Sequence, residues 1–324
     1  MPLVKLKAQP TCRFRGAALA LALAATLPAA SCAPRAPSPI TAPETPPARP
    51  APSRAPNRSP PSAPPAPAPP LRPAVCGPAA GDPASAANAL SLNTLAWAPF
   101  RRPETGWETY APLIGQEIGS PCAPDTPGFA AALSAWQDAQ GLPGGGRMSE
   151  AAFQRMKARW QDQRPFVRAA HGACPAPPAE TTLAPARISE SYLGKPVVMR
   201  PAVLAAYRRL AAAARQDLLV RADPRNLTIF SAYRSPQADA ERCRLERNCD
   251  GVGRATCSPH RTGLALDLFV GAAPGFGPDS SAEANRRFQS KTAVYRWLVR
   301  NAGRFGFSNY PFEPWHWEWT GEAP

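Results

Sequence analysis

Apolar side chains recur at helical spacing in two neighbouring stretches of the chain. Thr126 is suited to cap a helix and Pro127 to open its first turn; Phe129, Leu133, Trp136 and Gln140 then follow three or four residues apart. Gly141, Leu142, Pro143 and three further glycines end this helix, and Ser149 opens the next, with Phe153, Met156 and Trp160 on one stripe. Later, Pro201 starts a helix carrying Val203, Leu204, Tyr207, Leu210 and Ala214, and residues 286–304 repeat the pattern with Val294, Leu298 and Ala302. Three other stretches read as strands: LTIFSAYR (227–234), with β-branched and aromatic residues, GLALDLFVG (263–271), bounded by Gly263 and Gly271, and the short EPWHWEW (313–319). Helices placed before and between non-consecutive strands predict an α+β domain, a small antiparallel sheet flanked by helices, preceded by a small helical domain.

The N-terminal 75 residues have no such pattern. Lys5, Lys7, Arg13 and Arg15 precede an apolar run from Ala17 to Ala30, which is too short to span a membrane as a mature helix and reads as an export signal. It closes on LPAASC. This resembles a lipoprotein signal, with Cys32 as the lipidated residue, although Ala29 stands where Leu is usual; cleavage near Ala30 is the alternative. Residues 33–75 hold 17 prolines and little apolar surface to bury, which predicts an unfolded or polyproline II tether. At about 3.1 Å per residue it would reach roughly 130 Å when extended. The expected organisation is a signal at 1–32, a tether at 33–75, a helical domain at 76–174, a proline-rich linker at 175–187 and a catalytic domain at 188–324.

Charge changes this picture little. Residues 1–75 carry +8 of the net +14, so the folded remainder is only mildly basic. No basic–aromatic array suggests nucleic acid, and a polyanionic wall or membrane surface is an equally good partner for weak positive charge. Cysteine usage fits export. Beyond Cys12 and Cys32 six remain: Cys76, Cys122, Cys174, Cys243, Cys249 and Cys257. An even number in an oxidising compartment predicts disulfides, with the pairing left open. Cys243, Cys249 and Cys257 lack a Cys-x-x-Cys pair, which argues against a metal cluster.

Three histidines occur in the chain. His171 lies near the linker and reads as a solvent-facing residue. The other two stand beside acids. Strand alternation in LALDLFV puts Leu266, Leu268 and Val270 on one face and Ala265, Asp267 and Phe269 on the other. An acid in so apolar a strand is costly unless it is paired or ligates a metal. The same alternation puts Trp315, Trp317 and Trp319 opposite His316 and Glu318. Two imidazoles and a carboxylate, His260, His316 and Asp267, form a donor set suited to catalytic zinc. Glu318 reads as a supporting or surface acid.

Two resemblances follow from these residues. FAAALSAWQDAQGLPGGGRMSEAAFQRMK is similar to the core repeat of small helical peptidoglycan-binding domains, although the same stripe also suits a plain helical core. SPHRTGLALDL matches Ser-x-His-x-x-Gly-x-Ala-x-Asp and EPWH matches Glu-x-x-His. Together with SAYRS they resemble the zinc D-alanyl-D-alanine carboxypeptidase and dipeptidase family, which includes the vancomycin-resistance enzymes, over residues 188–321. The resemblance implies Zn2+ on His260, Asp267 and His316, Glu313 as general base, and Arg234 on the oxyanion or substrate carboxylate. It also implies that Ser258 and Tyr233 line the substrate site. The implied protein is a periplasmic, membrane-anchored peptidase that removes terminal D-Ala from peptidoglycan stem peptides. A stem-peptide endopeptidase needs the same zinc site and stays open. An inactive wall-binding lipoprotein is a third reading, and the intact His260, Asp267, Glu313 and His316 argue against it.

Overall fold

The computed structural model describes residues 76–77, 82–170, 173–247, 249 and 257–322. The expected signal, Cys32, the tether and His171 lie outside them. The described residues fall within one compact unit, Ala68–Pro324. Among them, no helix is long and apolar enough to cross a membrane.

The N-terminal part is helical: α1 (Pro83–Thr94), α2 (Ala111–Glu117), α3 (Pro127–Ala139), α4 (Glu150–Asp162) and α5 (Pro165–Ala169), with a two-residue hairpin of β1 (Ala96–Trp97) and β2 (Glu104–Thr105). Thr126 and Ser149 cap α3 and α4 by accepting the Phe129 and Ala152 N–H groups. One detail of the helical stripe differs from the sequence pattern. Trp136 is only partly buried and Gln140 lies beyond the end of α3, while Gln137 is fully buried. Its amide accepts the Gly146 N–H and donates to the Arg147 carbonyl, so it ties α3 to the glycine turn by a satisfied polar contact.

The C-terminal part begins with a short pair, β3 (Ala184–Pro185) and β4 (Val198–Met199), and continues through α6 (Pro201–Ala214) and α7 (Leu218–Arg221). Then come β5 (Ile229–Ser231), α8 (Pro236–Glu246), β6 (Ala265–Leu268), α9 (Glu283–Lys291), α10 (Ala293–Asn301), β7 (Phe307–Asn309) and β8 (His316–Trp319). The sheet order is β5-β6-β8-β7 and these three strand ladders are antiparallel. Two expectations are corrected here. The strands are shorter than their apolar runs, and the single helix expected over 286–304 is two. The break is Thr292, whose extended backbone interrupts the helix while its hydroxyl accepts the Tyr295 N–H and lies within hydrogen-bond reach of the Gln289 and Val270 carbonyls.

Two apolar cores result. One lies beneath the four-stranded sheet and joins α6 and α10 to Leu266, Leu268, Val270, Trp315 and Trp317. The other fills the helical part with Trp97, Phe100, Trp107, Tyr110, Phe129, Leu133, Phe153 and Met156. Tyr310 and Phe312, from the turn between β7 and β8, belong to this second core. Phe100 packs 5.3 Å from Phe312 and 5.8 Å from Tyr310, ring centre to ring centre. All six downstream cysteines are paired, Cys76 with Cys122, Cys174 with Cys257 and Cys243 with Cys249.

Candidate active site

Register builds the site. In the β6–β8 ladder Asp267 stands opposite His316 and Ala265 opposite Glu318, so all four side chains share one face. Leu266, Leu268 and Trp317, on the other face, anchor both strands in the core. His260 arrives from the turn Pro259–Thr262, which Ser258 caps by accepting the His260 N–H. Gly263 ends that turn at φ +68°, and a Cβ there would come within 3.2 Å of Arg200 and 3.3 Å of Leu183. A residue without a side chain lets the chain pass from His260 into β6.

His260, Asp267 and His316 are all buried, and their ligand atoms lie within 4.8 Å of one another. His260 Nε2 lies 3.1 Å from one Asp267 oxygen and His316 Nδ1 2.9 Å from the other. The remaining ring nitrogens are occupied. His260 Nδ1 lies 2.6 Å from the Ala232 carbonyl, which requires a proton on that nitrogen and leaves Nε2 as the donor atom. His316 Nε2 lies 3.4 Å from Glu318 Oε1. Outer hydrogen bonds of this kind fix tautomer and ring angle in metal-binding histidines. The donor set therefore fits a cation of the zinc type: two imidazoles and one carboxylate converge, with the His260 ring held from behind by the Ala232 carbonyl and Glu318 standing behind His316.

Electrostatics set the two rings apart. Burial, helped by the Arg234 charge, pulls His260 down to about 4, so this imidazole is neutral and ready to ligate at neutral pH. Burial would also lower His316, but its hydrogen bonds to Asp267 and Glu318 outweigh that and raise it to about 9. Burial would raise Asp267, yet the two histidines hold it well below the usual carboxylate range. Glu318 is likewise opposed by burial, and Arg164 with His316 hold it down at about 2.

The cluster opens on a cleft of about 240 Å³ whose walls include Arg234, Ser258, His260, Asp267, Glu313 and His316. Glu313 is buried at the edge of the cluster, with Oε2 4.0 Å from His316 Nδ1. Its turn is pinned by Asn309, whose amide donates to the Glu313 and His316 carbonyls. Arg234 donates to Asp239 (2.8 Å), Ser231 (2.7 Å) and Ser258 (3.0 Å). These use three of its five N–H groups, and its side chain stays partly exposed on the cleft wall. The Cys174–Cys257 disulfide fastens the residue next to Ser258. Tyr233 is placed differently from the other expected site residues. Its hydroxyl faces Glu180 at 3.4 Å, and it is not among the residues that line the cleft.

One family model matches part of the chain. Residues 197–322 match the VanY family model, described as D-alanyl-D-alanine carboxypeptidase. The matched region holds β6, β8 and the three clustered side chains. The match does not extend to the helical part. Two solved structures are similar at low identity. One is the LdcB LD-carboxypeptidase, described in terms of peptidoglycan recognition, at 24% identity and a TM-score of 0.28, covering 38% of this chain and 60% of that one. The other is a mutant of the vancomycin resistance D,D-pentapeptidase VanY in complex with Zn(II), at 22% identity and a TM-score of 0.27, covering 45% of this chain and 83% of that one. The chain thus spans 60% of the length of the first of these relatives. No curated protein matches the sequence.

Proposed function

We propose that the chain is an exported, zinc-dependent cell-wall peptidase that removes the terminal D-Ala of peptidoglycan stem peptides. The observation that carries this reading is the convergence of His260, Asp267 and His316 beside Glu313 in one cleft, within the region that matches the VanY family. His260 would bind through Nε2, His316 through Nδ1, and Asp267 through its carboxylate. When bound, zinc supplies a Lewis acid for the scissile carbonyl and a lowered pKa for the attacking water.

The remaining steps belong to the protein. Glu313 takes a proton from the attacking water and delivers it to the leaving amine. The planar guanidinium of Arg234, with two N–H groups not used by its contacts to Asp239, Ser231 and Ser258, suits a terminal carboxylate. The contacts to Asp239, Ser231 and Ser258 hold the guanidinium still, so little orientation is lost when substrate binds. Arg234 would hold the carboxylate end of a short peptide while its last amide lies at the metal cluster, an arrangement that suits a carboxypeptidase better than an endopeptidase. Ser258 acts here by holding Arg234 and capping the His260 turn. Export, a lipid anchor at Cys32 and wall binding by the helical part belong to the same reading.

The test uses paired stem peptides, one a free acid and one a C-terminal amide. Release of free D-Ala from the acid and much slower release from the amide supports the reading. Equal rates, or products cut inside the stem, would move it to an endopeptidase.

A further inference from the structure

The helical part reaches into the metal cluster. Arg164 sits between α4 and α5 and is almost completely buried. Its Nε and Nη2 lie 2.7 and 2.5 Å from Glu318 Oε1. The Phe166 N–H donates to the other Glu318 oxygen at 3.1 Å. Gln161 accepts from Arg164 Nη1 at 2.6 Å, and the guanidinium lies 4.2 Å from the centre of the Tyr310 ring. Glu318 in turn meets His316 Nε2, the ring nitrogen that faces away from Asp267. Gln161, Arg164, Phe166 and Val167 also line the same cleft as His260 and Glu313.

We propose that Arg164 is a positioning residue of the metal site. Through Glu318 it fixes the ring of His316, so the helical part is a structural component of the peptidase centre as well as any wall-binding module. The inference rests on the metal reading above and adds a role for residues outside the VanY match.

The physical reason is the contact length. At 3.4 Å the Glu318–His316 contact alone is too loose to lock an imidazole. The angle of the ring is therefore set by how firmly Glu318 itself is held. Two guanidinium N–H groups and one backbone N–H restrain that carboxylate, and all three come from residues 164–166. Without Arg164, a buried carboxylate would be left short of charge-assisted partners and would turn toward other donors. His316 would then lose the acceptor behind it, and outer-contact losses of this kind weaken metal binding by about 10–100-fold.

A second buried pair at the same seam separates positioning from general loosening. Arg286 lies 3.0 Å from Glu104 and donates to the Tyr110 hydroxyl, yet it touches none of the clustered residues. The experiment is chelator competition for zinc at fixed pH on the full chain, comparing wild type, Arg164→Gln, Arg164→Lys and Glu104→Gln. Each variant is first checked for folding by thermal melting. Arg164→Gln should weaken zinc by about tenfold or more, Arg164→Lys by less, and Glu104→Gln should melt earlier with wild-type zinc affinity. Wild-type affinity in a folded Arg164→Gln chain, or equal weakening in Glu104→Gln, would overturn the proposal while leaving the metal reading standing. If Arg164→Gln does not fold, Arg164→Lys decides, and wild-type affinity there overturns it. A wild-type chain that binds no zinc would overturn both.

Discussion

Asp267 and His316 face each other across the β6–β8 ladder, with His316 Nδ1 2.9 Å from Asp267 Oδ1. This one register pair brings a strand acid and a strand imidazole to the same buried point. A shift of a single residue in either strand would send one of them to the opposite face of the sheet. His260, arriving from the turn before β6, completes the group.

Glu313 is predicted to matter for turnover and not for metal retention. Glu313→Gln keeps the shape of the turn but cannot accept a proton. Its kcat should fall by about two to four orders of magnitude with zinc content unchanged, measured by D-Ala release and metal analysis side by side. Near-normal kcat would place the base elsewhere.

Zinc uptake should release a proton near neutral pH. His316 is raised to about 9, so in the zinc-free protein it is protonated between Asp267 and Glu318. Zinc must displace that proton, and affinity should fall as pH is lowered. The sign for stability is opposite. The contribution of His316 to the zinc-free fold is fully present below about 6.5 and is lost as pH rises through about 9. Calorimetry in buffers of different ionisation enthalpy measures the proton directly, and zero release at pH 7 would contradict the assignment.

Arg234→Lys should reduce kcat/KM on free-acid peptides by about 10–100-fold, the effect of one charge-assisted contact. Lysine lacks the planar fork that meets Asp239, Ser231 and Ser258 together. On the C-terminal amide the same variant should cost little more. An equal loss on both peptides would mean that Arg234 supports the fold of the cleft and does not recognise the carboxylate.

Phe312→Ala should destabilise the chain by about 3–5 kcal/mol in denaturant unfolding. Phe312 is fully buried between Phe100 and the Arg286 guanidinium, one residue before Glu313. The variant should also lower kcat, because the turn carrying the base rests on this ring. Stability within 1 kcal/mol of wild type would show that the shared core contributes little.

Much of the cluster was legible in the sequence because strand alternation is a local rule. Asp267 in an apolar run and His316 between tryptophans announce their faces without any tertiary knowledge. The caps at Thr126 and Ser149 were legible for the same reason. What was not legible is what distant segments do to one another. Arg164 and Glu318 are 154 residues apart, and no local pattern marks an arginine before a proline as the partner of a strand acid. Thr292 splits a continuous helical pattern by capping α10, and its hydroxyl also lies within reach of the Gln289 carbonyl (2.8 Å) and of the Val270 carbonyl (2.9 Å), 22 residues away. Tyr233 follows an apolar strand, and its neighbour Arg234 lines the cleft, but its hydroxyl turns to Glu180 in the preceding segment.

The most direct test of the central claim is mass spectrometry of a peptidoglycan pentapeptide incubated with the zinc-loaded full chain, with the chelated chain and with His260→Ala. The account predicts loss of a single C-terminal alanine with the loaded wild type, and an unchanged peptide with the other two. An intact pentapeptide with the loaded wild type, or the same alanine loss after chelation and in His260→Ala, would contradict it.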